Sequence, residues 1–454
     1  MLERIKGENM KQTNRWTSGL IKGMAASVLA PIMLNSAFPV LAAGNSPEVN
    51  ANAALAIEFE TGKVLLNQNA DEQLGIASMT KMLVEYILFE TIKEGKLSWD
   101  DELSVSDYAQ QVSQNYILSN VPLRVDEKYT VREMYEALAI YSANGATIVL
   151  TEAIAGSEPA FVDMMKKKVE EWGIKDYHLV NTTGLNNSYL NGNLYPGSDE
   201  KDENSMTARG IATVATKLLQ DYPEVLQTSS VSEKVFREGT ADAISMKNWN
   251  WMLPGLIYER KNVDGLKTGT TDYAGASITS TAKESDRRVI TVVMGAGDGQ
   301  KNKAQRFQET GKVLDYSFNN WESFEVAKEG EVVKAIEPLD VSKGKEKTLA
   351  LSAGSSLAVT APKGTEADKF VITFKPNEKL FDDNGAIIAP VEKGTEVGKF
   401  VIQTEGDELG YLNGAKEEEV PAIAAETVKK ANVFSLAMTW VKGSFSNLIA
   451  KFKK

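Results

Sequence analysis

The chain has 454 residues, 43% of them hydrophobic and 25% charged, which is the composition of a folded soluble protein with two or three domains. It contains no cysteine and a single histidine, His178, so disulfides, thiolate nucleophiles and multi-histidine metal sites are excluded. The net charge is −12 although both ends are rich in lysine and arginine, and the acidic body between them argues against binding to nucleic acid. Catalysis therefore has to use serine, threonine, lysine, tyrosine or carboxylate side chains, and we expect neither a metal nor another cofactor.

Residues 1–42 are predicted to be a secretory signal peptide. Five basic side chains precede an apolar stretch from Met24 to Leu41, and the small residues Ala42 and Ala43 follow it. This pattern is typical of a signal that is cleaved after one of the two alanines when the protein is exported. An uncleaved membrane helix is the alternative, but two prolines and an asparagine leave the stretch short for a membrane span. Met10 offers a second start of translation.

Residues 43–322 are predicted to form one α+β domain. It begins with a hairpin, because the apolar strands Ala54–Phe59 and Lys63–Asn67 flank a short turn that contains glycine. Apolar residues at helical spacing predict three helices, at Met79–Gly95, Val131–Ala155 and Ala160–Trp172, and an exposed loop at Asn186–Asn204. Three strands follow, at Val263–Thr271, Gly275–Ala282 and Val289–Gly295. The hairpin and these strands are expected to share one sheet, with the helices inserted between them in sequence.

Residues 323–415 are predicted to form a small all-β domain. From about Phe324 the chain changes to short segments separated by glycine and charged turns, such as Leu357–Val359, Phe370–Phe374 and Phe400–Gln403. The pattern ends near Leu412.

Residues 427–454 are predicted to be an amphipathic helix that lies on a membrane. Apolar side chains recur at three- and four-residue steps from Phe434 to Phe452, and the segment carries six lysines and no acidic residue. Such a helix is attracted to an anionic membrane surface. The alternative is an amphipathic helix that packs on its own domain.

A Ser-x-x-Lys motif at Ser78 is the first indication of chemistry. The motif occurs four times, at Ser78, Ser198, Ser280 and Ser342, and only Ser78 stands at the start of a predicted helix. Residues three apart on a helix share a face, so the amine of Lys81 can reach the hydroxyl of Ser78. A serine nucleophile needs an adjacent base, and a lysine whose pKa is lowered can serve as one. Taken alone, the pair is more typical of a surface helix with a capping serine and a solvated lysine.

Two further motifs decide between these interpretations. Ser142 and Asn144 form a Ser-x-Asn motif within the second predicted helix, and Lys267, Thr268 and Gly269 lie on a predicted strand. Ser-x-Asn recurs in the chain, whereas Lys-Thr-Gly occurs once. The three motifs in this order favour a serine acyl-transfer enzyme.

This set of motifs resembles that of penicillin-binding proteins and serine β-lactamases. With an export signal, a β-rich appendage and a basic C-terminal helix, the chain is similar to the low-molecular-weight D-alanyl-D-alanine carboxypeptidases. The resemblance implies a β-lactamase/transpeptidase-like fold, in which an antiparallel sheet flanked by helices joins a helical subdomain and the active site lies at the junction. It implies removal of the terminal D-alanine from peptidoglycan stem pentapeptides at the outer face of the cytoplasmic membrane, with β-lactams as covalent inhibitors.

The resemblance also implies roles for single residues. Ser78 would form the acyl-enzyme, Lys81 would accept its proton, and Ser142 would relay a proton to the leaving D-alanine. The implied substrate-binding residues are Asn144, Lys267, Thr268, Gly269, Thr270 and Arg306. Asn144 would hold the substrate amide, Lys267 and Thr268 would bind the terminal carboxylate, and Arg306 would assist them. The backbone amides of Ser78 and Thr270 would form the oxyanion hole.

Several alternatives stay open at this point. Residues 181–186 occupy the region in which a class A β-lactamase carries its deacylating glutamate, and no glutamate is present, so rapid β-lactam hydrolysis is not expected. A β-lactamase, a transpeptidase and a non-catalytic cell-wall scaffolding protein are the competing functions. Trp249 and Trp251 are interpreted as packing aromatics, with a sugar-binding rim as the alternative.

Overall fold

A computed structural model describes residues 46–432 of the chain. The predicted signal peptide, and all of the predicted C-terminal helix except residues 427–432, lie outside this range. None of the helices within it is both long and apolar enough to cross a membrane.

The described residues contain eight α-helices and a larger number of short strands. The helices are α1 (Lys81–Lys93), α2 (Asp107–Ser113), α3 (Val131–Tyr141), α4 (Asn144–Ala155), α5 (Glu158–Glu171), α6 (Ala208–Asp221), α7 (Leu226–Ser229) and α8 (Gln305–Asn320). The strands up to residue 320 are β1 (Ala51–Glu58), β2 (Val64–Gln68), β3 (Gln73–Gly75), β4 (Glu102–Ser104), β5 (Lys128–Thr130), β6 (Tyr177–His178), β7 (Ser205–Thr207), β8 (Glu233–Phe236), β9 (Ile244–Lys247), β10 (Val263–Thr271), β11 (Gly275–Glu284) and β12 (Arg287–Ala296).

The main sheet joins the two ends of the α+β domain. Its five strands run antiparallel in the order β10, β11, β12, β1, β2, so the first hairpin pairs with the last of the three later strands. The predicted pairing across the helical insertion is confirmed.

Each strand of this sheet buries both faces, because helices cover both sides. On β1, Leu55 and Ile57 face one hydrophobic core while Ala54 and Ala56 face another, as the two-residue period of a strand requires. Helices α1 to α6 contribute to the first core and α8 to the second. The first core carries the elements that position the motifs.

The predicted helix Val131–Ala155 is in fact two helices, and the prediction is corrected here. Helix α3 ends at Tyr141, Ser142 has φ +60°, and α4 begins at Asn144. The amide of Asn144 donates to the carbonyl of Ser119 (3.0 Å) and that of Gly145 to the side chain of Asn120 (2.9 Å). Partners distant in sequence therefore replace the local helical bonds, which periodicity cannot reveal.

The all-β part has its own hydrophobic core and nine strands. They are β13 (Trp321–Ala327), β14 (Leu339–Ser342), β15 (Thr348–Leu349), β16 (Leu351–Ala353), β17 (Leu357–Pro362), β18 (Phe370–Pro376), β19 (Ile387–Ile388), β20 (Glu396–Thr404) and β21 (Glu418–Ala424). The predicted all-β character of residues 323–415 is thus confirmed.

Its predicted end at residue 415 is wrong. Strand β21 lies between β16 and β20 in a four-stranded sheet, and Val428 and Lys430 form bridges with Val391 and Gly344. An acidic run overlaps the start of β21 and hid this strand; within it, Glu419 faces solvent and accepts hydrogen bonds from Lys399 on β20 and Lys375 on β18. The predicted C-terminal helix therefore cannot begin at residue 427.

Lys63, in the turn between β1 and β2, links the α+β domain to the all-β domain. Its side chain is buried, and its Nζ donates to Asp407 Oδ1 (3.0 Å) and to the carbonyl of Gly410 (2.9 Å) in the all-β domain. The amine lies 5.4 Å from the ring centroids of both Trp321 and Tyr411. Burial lowers the pKa of Lys63, and the Asp407 carboxylate opposes that shift.

Replacing Lys63 by methionine is expected to destabilise the protein by about 3 kcal/mol, because it leaves Asp407 without its buried partner. Urea unfolding followed by tryptophan fluorescence measures this. Lys234→Met, at an exposed pair with Glu136, is the matched control and should change little. Equal effects of the two substitutions would contradict a special role for Lys63.

Candidate active site

Ser78 and Lys81 meet where a short 3-10 turn passes into α1. The turn spans Ala77–Thr80, and Ser78 is half-buried while its neighbours in the turn are buried. Lys81, the first residue of α1, is fully buried, and its Nζ lies 3.0 Å from Ser78 Oγ. The structure thus brings together the two residues predicted to be nucleophile and base.

Three oxygen atoms surround the amine of Lys81. Besides Ser78 Oγ, these are Asn144 Oδ1 at 2.8 Å and the carbonyl of Thr183 at 2.7 Å. Burial and the positive charge of Lys267 hold the pKa of Lys81 well below its ordinary value, against a smaller opposing effect of Glu158 and Glu85. A neutral amine can donate to Asn144 and Thr183 and still offer its lone pair to the proton of Ser78.

A second lysine and serine form a similar pair beside the first. Lys267 Nζ lies 2.9 Å from Ser142 Oγ and 3.1 Å from the carbonyl of Thr268. Burial lowers the pKa of Lys267 to about 8; Glu85 acts against this shift and Arg306 adds to it. Lys267 therefore keeps its charge at neutral pH, while its field discourages a charge on Lys81.

Strand β10 carries Lys267 past the backbone of the nucleophile. A Cβ at Gly269 would lie 2.8 Å from the carbonyl oxygen of Ile76 and 3.2 Å from the amide nitrogen of Ser78. Only glycine allows an approach this close. The approach sets the amides of Ser78 and Thr270 on adjoining segments, as an oxyanion hole requires.

Arg306 is buried at the start of α8 and holds strands β10 and β11. Its guanidinium donates to the carbonyls of Gly269 (2.8 Å) and Ser277 (2.9 Å) and to Thr270 Oγ1 (2.8 Å). Burial lowers its pKa to about 10. Its predicted role with the substrate carboxylate stays a prediction, and the contacts show that it orients Thr270.

Sequence reasoning missed the segment that supplies the third partner of Lys81. The sequence pattern of residues 181–186 indicates only that a glutamate is missing there, yet Thr183 points its carbonyl at the amine of Lys81. Gly184, at φ +74°, makes this possible, since a Cβ there would lie 1.8 Å from the carbonyl oxygen of Ala77. Asn204 ties this segment to the nucleophile turn by donating to Thr80 Oγ1 and to the carbonyl of Asn181.

Glu85 is a second residue that was missed, although the helical repeat would have revealed it. It lies one turn after Lys81 on α1 and is 3% exposed, so it belongs to the same buried face. Burial raises its pKa to about 7, and the nearby lysines 267 and 81 oppose that rise.

Trp251 and the single histidine, His178, lie in structural surroundings away from the two lysine–serine pairs. Trp251 packs against Tyr258 and Phe307 in the second core, as predicted for a packing aromatic. His178 lies exposed on β6. Within residues 46–432 there is no group of three or more His, Cys, Asp or Glu side chains that could hold a metal ion.

Two family profiles match the chain. The family described as D-alanyl-D-alanine carboxypeptidase, peptidase S11, matches residues 41–298, and penicillin-binding protein 5, C-terminal domain, matches residues 321–430. D-alanyl-D-alanine carboxypeptidase DacF of Bacillus subtilis is 31% identical over 423 residues, which cover 92% of this chain and 95% of that protein. D-alanyl-D-alanine carboxypeptidase DacA of Haemophilus influenzae is 28% identical over 407 residues, or 88% and 92% of the two chains.

Two solved structures are similar over both domains. Penicillin-binding protein 3 of Streptococcus pneumoniae, a peptidoglycan synthesis regulatory factor, has a TM-score of 0.71 and 35% identity, and the match covers 84% of this chain and 100% of that one. Penicillin-binding protein 5 of Haemophilus influenzae has a TM-score of 0.67 and 25% identity, with 85% and 99% covered. These matches confirm the predicted fold class.

The two lysine pKa values predict a bell-shaped pH dependence for acylation of Ser78. The rate should rise as Lys81 loses its proton and fall above about pH 8, where Lys267 loses its charge. Glu85, with a pKa of about 7, is charged near pH 8 and there favours the protonated form of Lys267, so in Glu85→Gln the alkaline limb should move to lower pH by roughly one unit. The measurement is the second-order rate constant for acylation by a fluorescent penicillin. Glu90→Gln, on the same helix, should leave the profile in place; an unmoved profile in Glu85→Gln contradicts the assignment.

Proposed function

This chain belongs to the family of D-alanyl-D-alanine carboxypeptidases, and on that premise we propose that it releases D-alanine through an acyl-enzyme formed on Ser78. The observation that carries the proposal is the pair of buried lysines, each within 3.0 Å of a serine hydroxyl. The proposed substrate is the peptidoglycan stem pentapeptide that ends in D-alanyl-D-alanine.

Acylation begins at the first lysine–serine pair. Lys81 takes the proton of Ser78, and Ser78 Oγ attacks the carbonyl carbon of the penultimate D-alanine. The negative charge that develops on the carbonyl oxygen is stabilised by the amides of Ser78 and Thr270. The lowered pKa of Lys81 supports this role, because the amine must be neutral to accept the proton.

Departure of D-alanine uses the second pair. When the peptide bond breaks, the leaving nitrogen needs a proton, and Ser142 Oγ donates one. Lys81 then passes the proton that it took from Ser78 to Ser142 and becomes neutral again, while Lys267, 2.9 Å from Ser142 Oγ, keeps its own proton and holds the charge of the terminal carboxylate. Water then attacks the acyl-enzyme and regenerates Ser78.

The other predicted residues bind the substrate. Asn144 uses its carbonyl oxygen for Lys81 and one N–H for the carbonyl of Ser119, and its second N–H is assigned to the substrate amide. Thr268 binds the terminal carboxylate together with Lys267. Arg306 assists by orienting Thr270, and through its field it adds positive charge behind that carboxylate.

β-Lactams are proposed to act as covalent inhibitors of the same site. Their carbonyl would be attacked by Ser78 in place of the peptide. Residues 181–186 contain no glutamate to activate a deacylating water, and Thr183 presents a backbone carbonyl there instead. The penicilloyl adduct should therefore persist, unlike that of a β-lactamase.

The protein is proposed to work outside the cytoplasmic membrane. Residues 1–42 would direct export, residues 43–322 would form the peptidase domain, and the all-β domain would follow. The basic segment after residue 432 would hold the enzyme at the anionic membrane surface as a peripheral protein.

Ser78→Ala is expected to abolish covalent labelling and to lower D-alanine release from a D-alanyl-D-alanine pentapeptide by at least about 1000-fold, because the nucleophile is lost. Mass spectrometry of the penicillin adduct locates the labelled residue. Ser198→Ala, in another Ser-x-x-Lys match, should keep both activities. Labelling that survives in Ser78→Ala would refute the proposed nucleophile.

Truncation after residue 432 is expected to move the protein from the membrane to the soluble fraction while its activity in solution is kept. In a second, full-length variant, lysines 442, 451, 453 and 454 are replaced by glutamine, which removes positive charge and keeps the apolar side chains. This variant should bind anionic vesicles more weakly than the wild type. Fractionation and vesicle sedimentation measure both. Truncated protein that stays with the membrane would contradict the anchor.

A further inference from the structure

We propose that Trp249 is a positioning residue for acyl transfer, because its indole N–H helps to lock the peptide group that sets the direction of Ser142. The inference rests on the proposed function of Ser142 and names a residue that the motifs do not contain. Trp249 itself touches neither Ser78 nor either active-site lysine through a hydrogen bond.

The hydrogen bonds that lock this peptide group, here called the lock, lie at the C-terminal end of α3. The last carbonyls of a helix lack intrahelical partners, and that of Tyr141 accepts two hydrogen bonds from distant residues. One comes from Ser119 Oγ, and the other comes from Trp249 Nε1 at 3.1 Å. Trp249 Nε1 also lies 2.9 Å from Ser119 Oγ, so the three groups form a closed triangle.

The carbonyl of Tyr141 matters because it belongs to the peptide group that precedes Ser142. Rotation of this group changes φ of Ser142, which is +60° and thus in the left-handed region that a non-glycine residue rarely adopts. With φ held there, Ser142 Oγ stays 2.9 Å from Lys267 Nζ. Two hydrogen bonds to one carbonyl oppose the return of Ser142 to an ordinary conformation.

The same triangle controls the other residue of the motif. The backbone carbonyl of Ser119 accepts from the amide and from Nδ2 of Asn144, both at 3.0 Å. Asn144 in turn accepts from Lys81 Nζ. Ser119 therefore connects both Ser142 and Asn144 to the indole of Trp249.

The residues before and after Trp249 in sequence fix the position of its backbone. The buried side chains of Asn248 and Asn250 donate to backbone carbonyls, Asn248 to that of Val231 and Asn250 to that of Gly265 on β10. Its ring stacks on Tyr141 with centroids 6.1 Å apart. The segment thus joins the strand of Lys267 to the turn of Ser142, which is what positioning requires.

Trp249 is 37% exposed, so removing its N–H need not open a cavity in the core. Trp249→Phe keeps an aromatic ring next to Tyr141 and deletes the N–H donor, at the cost of some ring area that Trp251→Phe also loses. Trp251→Phe is the matched control, two residues away, because Trp251 packs in the second core.

The test measures kcat and KM for D-alanine release from a D-alanyl-D-alanine pentapeptide, with thermal unfolding of each variant. Trp249→Phe and Ser119→Ala should each lower kcat about tenfold with KM nearly unchanged, the loss expected when one hydrogen bond of the lock is removed. The double variant should be no slower than the slower single variant, because both changes open the same triangle. Trp251→Phe should leave kcat unchanged.

Several results would overturn the inference. One is an unchanged kcat in Trp249→Phe. Another is an effect on KM alone, which would make the ring a substrate contact. A third is that the rate losses of the two single variants multiply in the double variant. If Trp249→Phe fails to fold, Ser119→Ala decides by the same kcat criterion. Wild-type protein that releases no D-alanine would refute the proposed function, whereas an active wild type with an equally active Trp249→Phe would refute only the positioning role.

Discussion

The active site of this structure depends on two lysine amines that are buried away from water. Lys81 and Lys267 are both buried, and each lies within 3.0 Å of a serine hydroxyl. Burial disfavours the charged form of each amine, and the charge of one disfavours the charge of the other. Lys267 keeps a pKa of about 8 while that of Lys81 falls well below its ordinary value. A base and a cation thus arise from two identical side chains, and the division follows from their surroundings.

Holding these amines in place requires three segments that are far apart in sequence. Helix α1 supplies Lys81, the break between α3 and α4 supplies Ser142 and Asn144, and β10 supplies Lys267. The sheet brings β10 to the nucleophile, and Gly269 lets the two backbones meet. The cost of a left-handed Ser142 is offset by the bonds around its neighbouring peptide groups.

A third buried lysine, Lys63, shows what distinguishes a structural amine from a catalytic one. Its main partner is the carboxylate of Asp407, whose charge favours the protonated form. Lys81 instead faces an amide oxygen, a carbonyl and a hydroxyl, all neutral. Neutral acceptors tolerate a neutral amine, so the amine of Lys81 is free to exchange a proton, whereas that of Lys63 joins two domains.

Residue patterns alone determined the strands of the main sheet and the place of the first hairpin in it. They also determined the all-β character of the C-terminal part and the three motifs. These features could be predicted because periodicity and short spacings are local properties. Local properties could not reveal the break at Ser142, where amides find partners at Ser119 and Asn120, nor the carbonyl of Thr183 beside Lys81. They also concealed β21, whose exposed charges masked a central strand. The tertiary structure decided these features and the two lysine pKa values, because each depends on which distant atoms share a volume from which water is excluded.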